Sequence, residues 1–264
     1  MPETNDEKVD RFIHFNQSMI NAAVTDGNLR DQGIHAKVLL CAIIDSLAKS
    51  RFSNINQNGR RFMQTVEECG EWSDNDRISL LHLKRALEVT SSIPTEFSNL
   101  ENYATSRMQE KFQVTNRLLS VHKTISEDPS PTEIDAIWPV DASGSRIRLG
   151  DISFEKLQHK NLLWLYRNSL MHEYRIPGQG VESGTLRERT EAFYQEVSQV
   201  EEISSRNGLV FTNRWELVYP TMFFHRLSEN ILRNVSAHHR RENTSPFEAY
   251  SEGSYWIPKF NEEC

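Results

Sequence analysis

Asn161-Leu-Leu-Trp-Leu-Tyr-Arg-Asn-Ser-Leu-Met-His-Glu-Tyr-Arg175 is the most informative stretch of the chain. Set Arg167 at zero on a helical wheel and advance about 100° per residue. Leu162, Leu163, Tyr166, Leu170 and Tyr174 then gather between about 220° and 340°, one apolar arc of an amphipathic helix. Asn168, Asn161 and His172 fall at about 100°, 120° and 140°, Arg175 at about 80°, and Trp164 and Met171 between Arg175 and Arg167. The second arc thus carries two guanidiniums, two amides, an imidazole and an indole. It is poor in the Glu and Lys of an ordinary solvated face. Asn168 and His172 stand four residues apart, close enough for the amide to orient the ring. Arg167 leaves the helix beside the apolar arc, where its fork of donors can hold a phosphate. A structural reading stays open beside the functional one: Arg167 paired with a buried acid such as Asp45, and His172 a hydrogen-bonded core histidine.

Outward from this helix the pattern stays mostly helical. Val9 to Val24 places apolar residues at helical spacing, and Ile34 to Arg51 carries a wide stripe of Val38, Leu39, Ala42, Ile43 and Leu47. Asp76 can cap a helix through Leu80, Leu83 and Leu87. Glu96 to Val121 reads as a long polar helix, and Phe154 to Tyr174 as a strong one. Glu182 to Glu202 reads as a further, polar helix. Pro220 fits the first turn of a last helix running to about Glu242. Two places differ. Ile137 to Val140 and Arg146 to Leu149 flank Asp-Ala-Ser-Gly like a small hairpin, and Gly208 to Tyr219 suggests a second with its turn near Thr212-Asn213. No alternating strand–helix pattern occurs. The expected fold is all-α, an α-rich helical bundle with one or two short β-hairpins. A single domain over 1–264 is expected, with its core at roughly 34–177 plus a C-terminal helix at 220–242, and a tail at 243–264.

Bulk properties narrow the function. The chain has 264 residues, 38% hydrophobic and 25% charged, which is ordinary for a globular protein and excludes wholesale disorder. Its longest apolar run, Val38 to Ile44, is far short of a membrane span. The polar, acidic start MPETNDEKVD reads as no secretory signal. Asn16, Asn234 and Asn243 in Asn-x-Ser/Thr therefore mean little. Cys41, Cys69 and Cys264 are odd in number and far apart, so no disulfide framework or cysteine knuckle follows. Cys41 reads as a small core residue, and a reducing cytoplasm is the default compartment. The net charge of −7 argues against a bulk cationic nucleic-acid binder while permitting a local basic site.

Standard catalytic motifs fail: there is no HExxH, no Gly-Lys-Ser/Thr phosphate loop and no Gly-x-Ser-x-Gly elbow. Gly178-Gln-Gly180 with Gly184 follows a helix and reads as a connector. His238 and His239 diverge by about 100° on a helix and so do not point at one ion together. With Arg240 and Arg241 they read as a solvated helix end. No metal or cofactor is expected.

Arg167-Asn168-Ser-Leu-Met-His172 resembles the Arg-x4–6-His motif of the HEPN superfamily, in which a polar residue commonly follows the Arg. Cys41-Ala-Ile-Ile-Asp-Ser-Leu-Ala-Lys-Ser-Arg51 resembles the first core helix of such proteins, and Glu-Tyr-Arg-Ile-Pro-Gly after His172 resembles bacterial members. The likeness spans about Ile34 to Pro177 and is sharp at Arg167 to His172. It implies a helical bundle that dimerises with its two motif helices together. It also implies a metal-independent endoribonuclease of stress or phage defence, with Arg167, Asn168 and His172 as the functional set and RNA as substrate. A partner antitoxin or nucleotidyltransferase would fit such a role. The resemblance equally covers non-catalytic modules that bind nucleotide, RNA or a protein. Arg146, Arg148, Lys156, Lys160 and Arg175 are the cations available to RNA.

Overall fold

The computed structural model describes residues 3–25, 32–90, 93–112, 122–178, 180, 182, 186, 188–204 and 208–250. In chain order the main elements are α1 (Asn5–Thr25), α2 (Gln32–Arg51), α3 (Asn58–Cys69), α4 (Leu80–Val89), α5 (Ser98–Lys111), β1 (His122–Thr124), α6 (Pro131–Asp135), α7 (His159–Glu173), β2 (Phe193–Ser204), β3 (Gly208–Val218) and α8 (Thr221–Glu242). The chain is helix-rich with one small antiparallel sheet. It divides into two compact units: Met1–Trp72 with Phe224–Cys264, and Ser73–Phe223. The stretch 34–177 expected as one core therefore draws on both.

Among the described residues, the regular elements of the first unit are all helices. Phe12 and Ile20 of α1, and Leu40, Cys41, Ile44 and Leu47 of α2, are shut from solvent. Phe62 and Val66 of α3 are buried likewise, as are Ile231 and Val235 of α8. Gly70, just past α3, has no room for a side chain: a Cβ there would meet the Val66 carbonyl oxygen at 2.5 Å and Leu227 Cδ1 at 2.7 Å. Asn230 and Asn234 of α8 donate to the Gly70 and Cys69 carbonyls, each at 3.0 Å, and so satisfy the open end of α3.

The expected solvated end of α8 is only half right. His239 is buried and uses both ring nitrogens, Nε2 with Ser50 Oγ at 3.0 Å and Nδ1 with Thr244 Oγ1 at 2.8 Å. The following residues also pack: Phe247 meets Phe12 edge-to-face, and the Tyr250 hydroxyl donates to the Ser46 carbonyl at 2.8 Å. The rest of the expected tail, 251–264, lies outside the described residues.

The second unit packs α4 to α7 with the sheet, ordered β1-β2-β3 with both pairs antiparallel. Here the sequence reading needs correcting at several points. The expected helix at Glu182 to Glu202 is not found among the described residues of that range; from Phe193 they form strand β2. Thr212 and Asn213 are not a turn but lie within β3, paired with Gln199 and Ser198. Asn213 is accommodated there because the Ser198 hydroxyl donates to its side-chain Oδ1 at 2.6 Å while its Nδ2 donates to Glu196 at 3.1 Å. The segment at 137–152 forms a tight turn with single bridges, Val140 to Arg146 and Leu149 to Ile152, rather than a strand hairpin. Asp141 shapes that turn by accepting from the Ser143 and Ser145 amides. Helix α4 starts later than expected, capped by Ser79 and not Asp76. Helix α5 ends at Lys111, and 113–121 lie outside the described residues.

Candidate functional site

Helix α7 is fixed at its start by backbone. The His159 amide donates to the Arg77 carbonyl at 3.1 Å and the Lys160 amide to the Asn75 carbonyl at 2.7 Å, which fills two of the donors a helix start leaves open. Leu163 and Leu170 are fully buried and Leu162 and Tyr166 nearly so, as the apolar arc requires. Tyr166 meets Tyr219 edge-to-face at 5.2 Å. The helix stops at Glu173 because Tyr174 turns left-handed (φ 54°), three residues before Pro177. Tyr174 is 52% exposed, so it leaves the buried arc predicted for it.

The second arc of α7 carries Arg167, Asn168 and His172 toward the surface. Arg167 is half-buried; its Cζ lies 5.0 Å from the ring centre of Trp164, and Nη1 donates to Asn168 Oδ1 at 3.1 Å. Asn168 thus serves Arg167 and not His172, contrary to the contact expected of it. His172 is exposed, which removes the reading of it as a core histidine. The guanidinium is therefore held in place, while the imidazole stands open one turn further on. The cations nominated for RNA are mostly engaged. Arg146 bridges Asp135 at 2.7 Å and Glu155 at 2.9 Å, and Arg175 pairs with Glu173 at 2.8 Å. Arg148 and Lys156 both donate to the Asp151 carbonyl.

The opposite side of α7 holds what sequence reading missed. Leu162, Leu165, Tyr166 and Ser169 line a groove of about 710 Å³ shared with α4 and β3. His82 of α4 also lines it and connects it to a buried polar chain. His82 Nδ1 lies 2.8 Å from Ser79 Oγ, which lies 2.7 Å from the Tyr194 hydroxyl. Tyr194 donates to Asp128 Oδ2 at 2.5 Å. The same carboxylate meets His159 Nε2 at 2.8 Å and Lys111 Nζ at 2.9 Å. Burial works to raise the Asp128 carboxyl, but His159 and Lys111 override it and hold it below the ordinary carboxylate range. Burial first, and then the Asp128 charge, push the Tyr194 phenol well above its usual value. Burial drives His82 down to about 4, so its ring is neutral at neutral pH. Ser79 and His82 share the start of α4, but Lys111, Asp128, His159 and Tyr194 come from four other places, and the six make no spaced motif. The only local signal was Ser-x-x-His at a helix start.

No family model, curated protein or solved structure matches this chain. Among the described residues no cluster of His, Cys, Asp or Glu is placed to hold a metal ion. No described helix is long and apolar enough to cross a membrane.

Proposed function

We propose that the Arg167 side of α7 is a phosphodiester site, and that the protein is a HEPN-like, metal-independent endoribonuclease acting as a homodimer. One observation carries this reading: Arg167 is braced by Trp164 and Asn168 on the same outward arc of α7 as an exposed His172. A braced guanidinium loses less freedom on meeting a phosphate than a loose one, and its planar fork matches two phosphoryl oxygens.

RNA brings its own nucleophile, so the protein needs only to move protons and stabilise charge. The 2′-oxygen attacks phosphorus, the bond to the 5′-oxygen breaks, and a 2′,3′-cyclic phosphate and a 5′-hydroxyl result. His172 takes the 2′-hydroxyl proton or gives one to the leaving oxygen, and Arg167 stabilises the charge growing on the phosphoryl oxygens. A single chain has one imidazole at this site. A second copy facing it across a two-fold axis supplies the other, which is why the dimer belongs to the reading.

A second reading rests on Asn168. Since it faces Arg167, nothing on α7 orients the His172 ring, and a module that binds RNA without cutting it needs no oriented imidazole. Labelled RNA incubated with the protein in EDTA separates the two. Cleavage lost in both His172→Ala and Arg167→Ala, with the fold retained, supports the nuclease. Binding without cleavage, weakened by Arg167→Ala alone, supports the module. RNA neither bound nor cut overturns both.

A further inference from the structure

The buried chain behind the groove fixes the proton on His82. The Tyr194 hydrogen goes to Asp128, which as a carboxylate only accepts. The Tyr194 oxygen must then accept from Ser79, whose one hydrogen is thereby used. Ser79 Oγ is left to accept, and it does so from the His82 backbone amide at 3.4 Å and from the His82 ring at 2.8 Å. The proton of the neutral ring therefore sits on Nδ1. Nε2 is a bare acceptor, the ring nitrogen left for the groove that His82 lines.

The rest of the groove shows what could meet it. Its walls are largely apolar: Leu162, Tyr166, Met108 and Trp215, with Leu165, which is 54% exposed. Charge in the lining comes from Lys84, Arg85 and Arg214 against Glu88 and Glu216, an excess of cation. Both acids pair with these same cations, so the lining keeps an excess of one positive charge for an anion to meet. Glu216 pairs with Arg214 at 2.7 Å and packs where a Cβ on Gly178 would stand, 1.9 Å from its Oε2. Glu88 lies 3.5 Å from Arg85 and 3.9 Å from Lys84.

We propose that this groove is a binding site for a small, flat, hydroxylated anion, its apolar body against Tyr166 and Trp215, its anionic group at the Lys84 and Arg214 cations, and its hydroxyl donating to His82 Nε2. The lining residues of α7 lie about 160–260° around the helix from Arg167, so the groove faces away from that guanidinium and needs no contact with it, while its edge at Leu165 adjoins the His172 position.

Three probes isolate each contact: 6-hydroxy-2-naphthoate, 2-naphthoate without the hydroxyl, and 2-naphthol without the carboxylate. In the free protein, nitrogen NMR of the His82 ring is expected to show a protonated Nδ1 and a bare Nε2. 6-Hydroxy-2-naphthoate is expected to bind at least tenfold more tightly than either relative, shifting the Nε2 resonance. Tyr194→Phe returns the Ser79 hydrogen to His82 Nδ1 and moves the ring proton to Nε2, so the probe's hydroxyl must accept where it had donated, and the preference for the hydroxylated probe is expected to fall. A wild-type ring protonated on Nε2 would overturn the proposal even if Tyr194→Phe does not fold. Equal binding of the three probes, or binding that leaves the His82 ring unmoved, would overturn it as well.

Discussion

His159 and Asp128 meet at 2.8 Å with neither side chain reaching solvent, and Lys111 and Tyr194 close on the same carboxylate. Four elements of the second unit converge on this one group: the end of α5, the turn before α6, the start of α7 and strand β2. Removing it strands a buried ammonium and an imidazole, a loss of roughly 3–5 kcal/mol for a buried pair broken on one side. Asp128→Ala is expected to destabilise the second unit by that amount in urea unfolding. Tyr194→Phe, which removes one neutral donor, is expected to cost about 1–3 kcal/mol. A loss under about 1 kcal/mol in Asp128→Ala would mean that the chain is not holding the unit together.

Acid should loosen both units. Burial pushes His82 and His239 down to about 4 in the folded protein, from 6.5 when free. Each therefore binds fewer protons folded than unfolded between those values. The stability they allow is full above pH 6.5 and drains as pH falls toward 4, by up to about 3 kcal/mol each. Asp128, held low, adds to the loss at more acidic pH as it too takes up a proton. Urea midpoints from pH 7.5 to 4 are expected to fall steadily, and His239→Gln should flatten the slope. A flat profile in the wild type contradicts the burial of these rings.

Gly70 tests the packing of α3 on α8 in the first unit. Its φ is −80°, so backbone strain is not at issue; space is. Gly70→Ala forces a methyl against Leu227 and the Val66 carbonyl and is expected to cost about 1–3 kcal/mol, the range for overpacking. Thermal unfolding at or above the wild-type temperature would show that the helix end yields easily.

Trp164 and Asn168 are positioning residues in the proposed phosphodiester site. Trp164→Ala and Asn168→Ala are each expected to weaken RNA affinity or turnover at least threefold while the protein still unfolds in one cooperative urea transition, since both side chains are only half-buried. Asn168→Asp, which keeps an acceptor for Arg167, is expected to retain the brace but repel phosphate. Activity unchanged in Trp164→Ala would separate the guanidinium from RNA.

The helices were legible where apolar residues recur at helical spacing, as on α1, α2, α7 and α8. β2 was not, because Tyr194, Val197, Val200 and Ile203 fall every third residue and imitate a helix, while Gln195, Glu196, Ser198 and Gln199 look like its solvated side. Tertiary pairing with β3 and the burial of Gln195 and Glu196 decided otherwise. Arg167, Asn168 and His172 were legible as one arc because helix geometry alone places them. The direction of the Asn168 amide was not, since Arg167 and His172 compete for it and wheel angles do not rank them. Beyond Ser-x-x-His at a helix start, the Asp128 network could not be read: Ser79 and Tyr194 are 115 residues apart, and only folding brings them together.

The phosphodiester site is tested most directly by what it leaves behind. In EDTA, a short RNA cut by the wild-type protein should yield a 2′,3′-cyclic phosphate and a 5′-hydroxyl. A single 2′-deoxy sugar at the cut position should abolish the cut, and His172→Ala should leave the RNA whole. Fragments ending in 3′-hydroxyl and 5′-phosphate, or cleavage that ignores the 2′-deoxy sugar or the loss of His172, would contradict it.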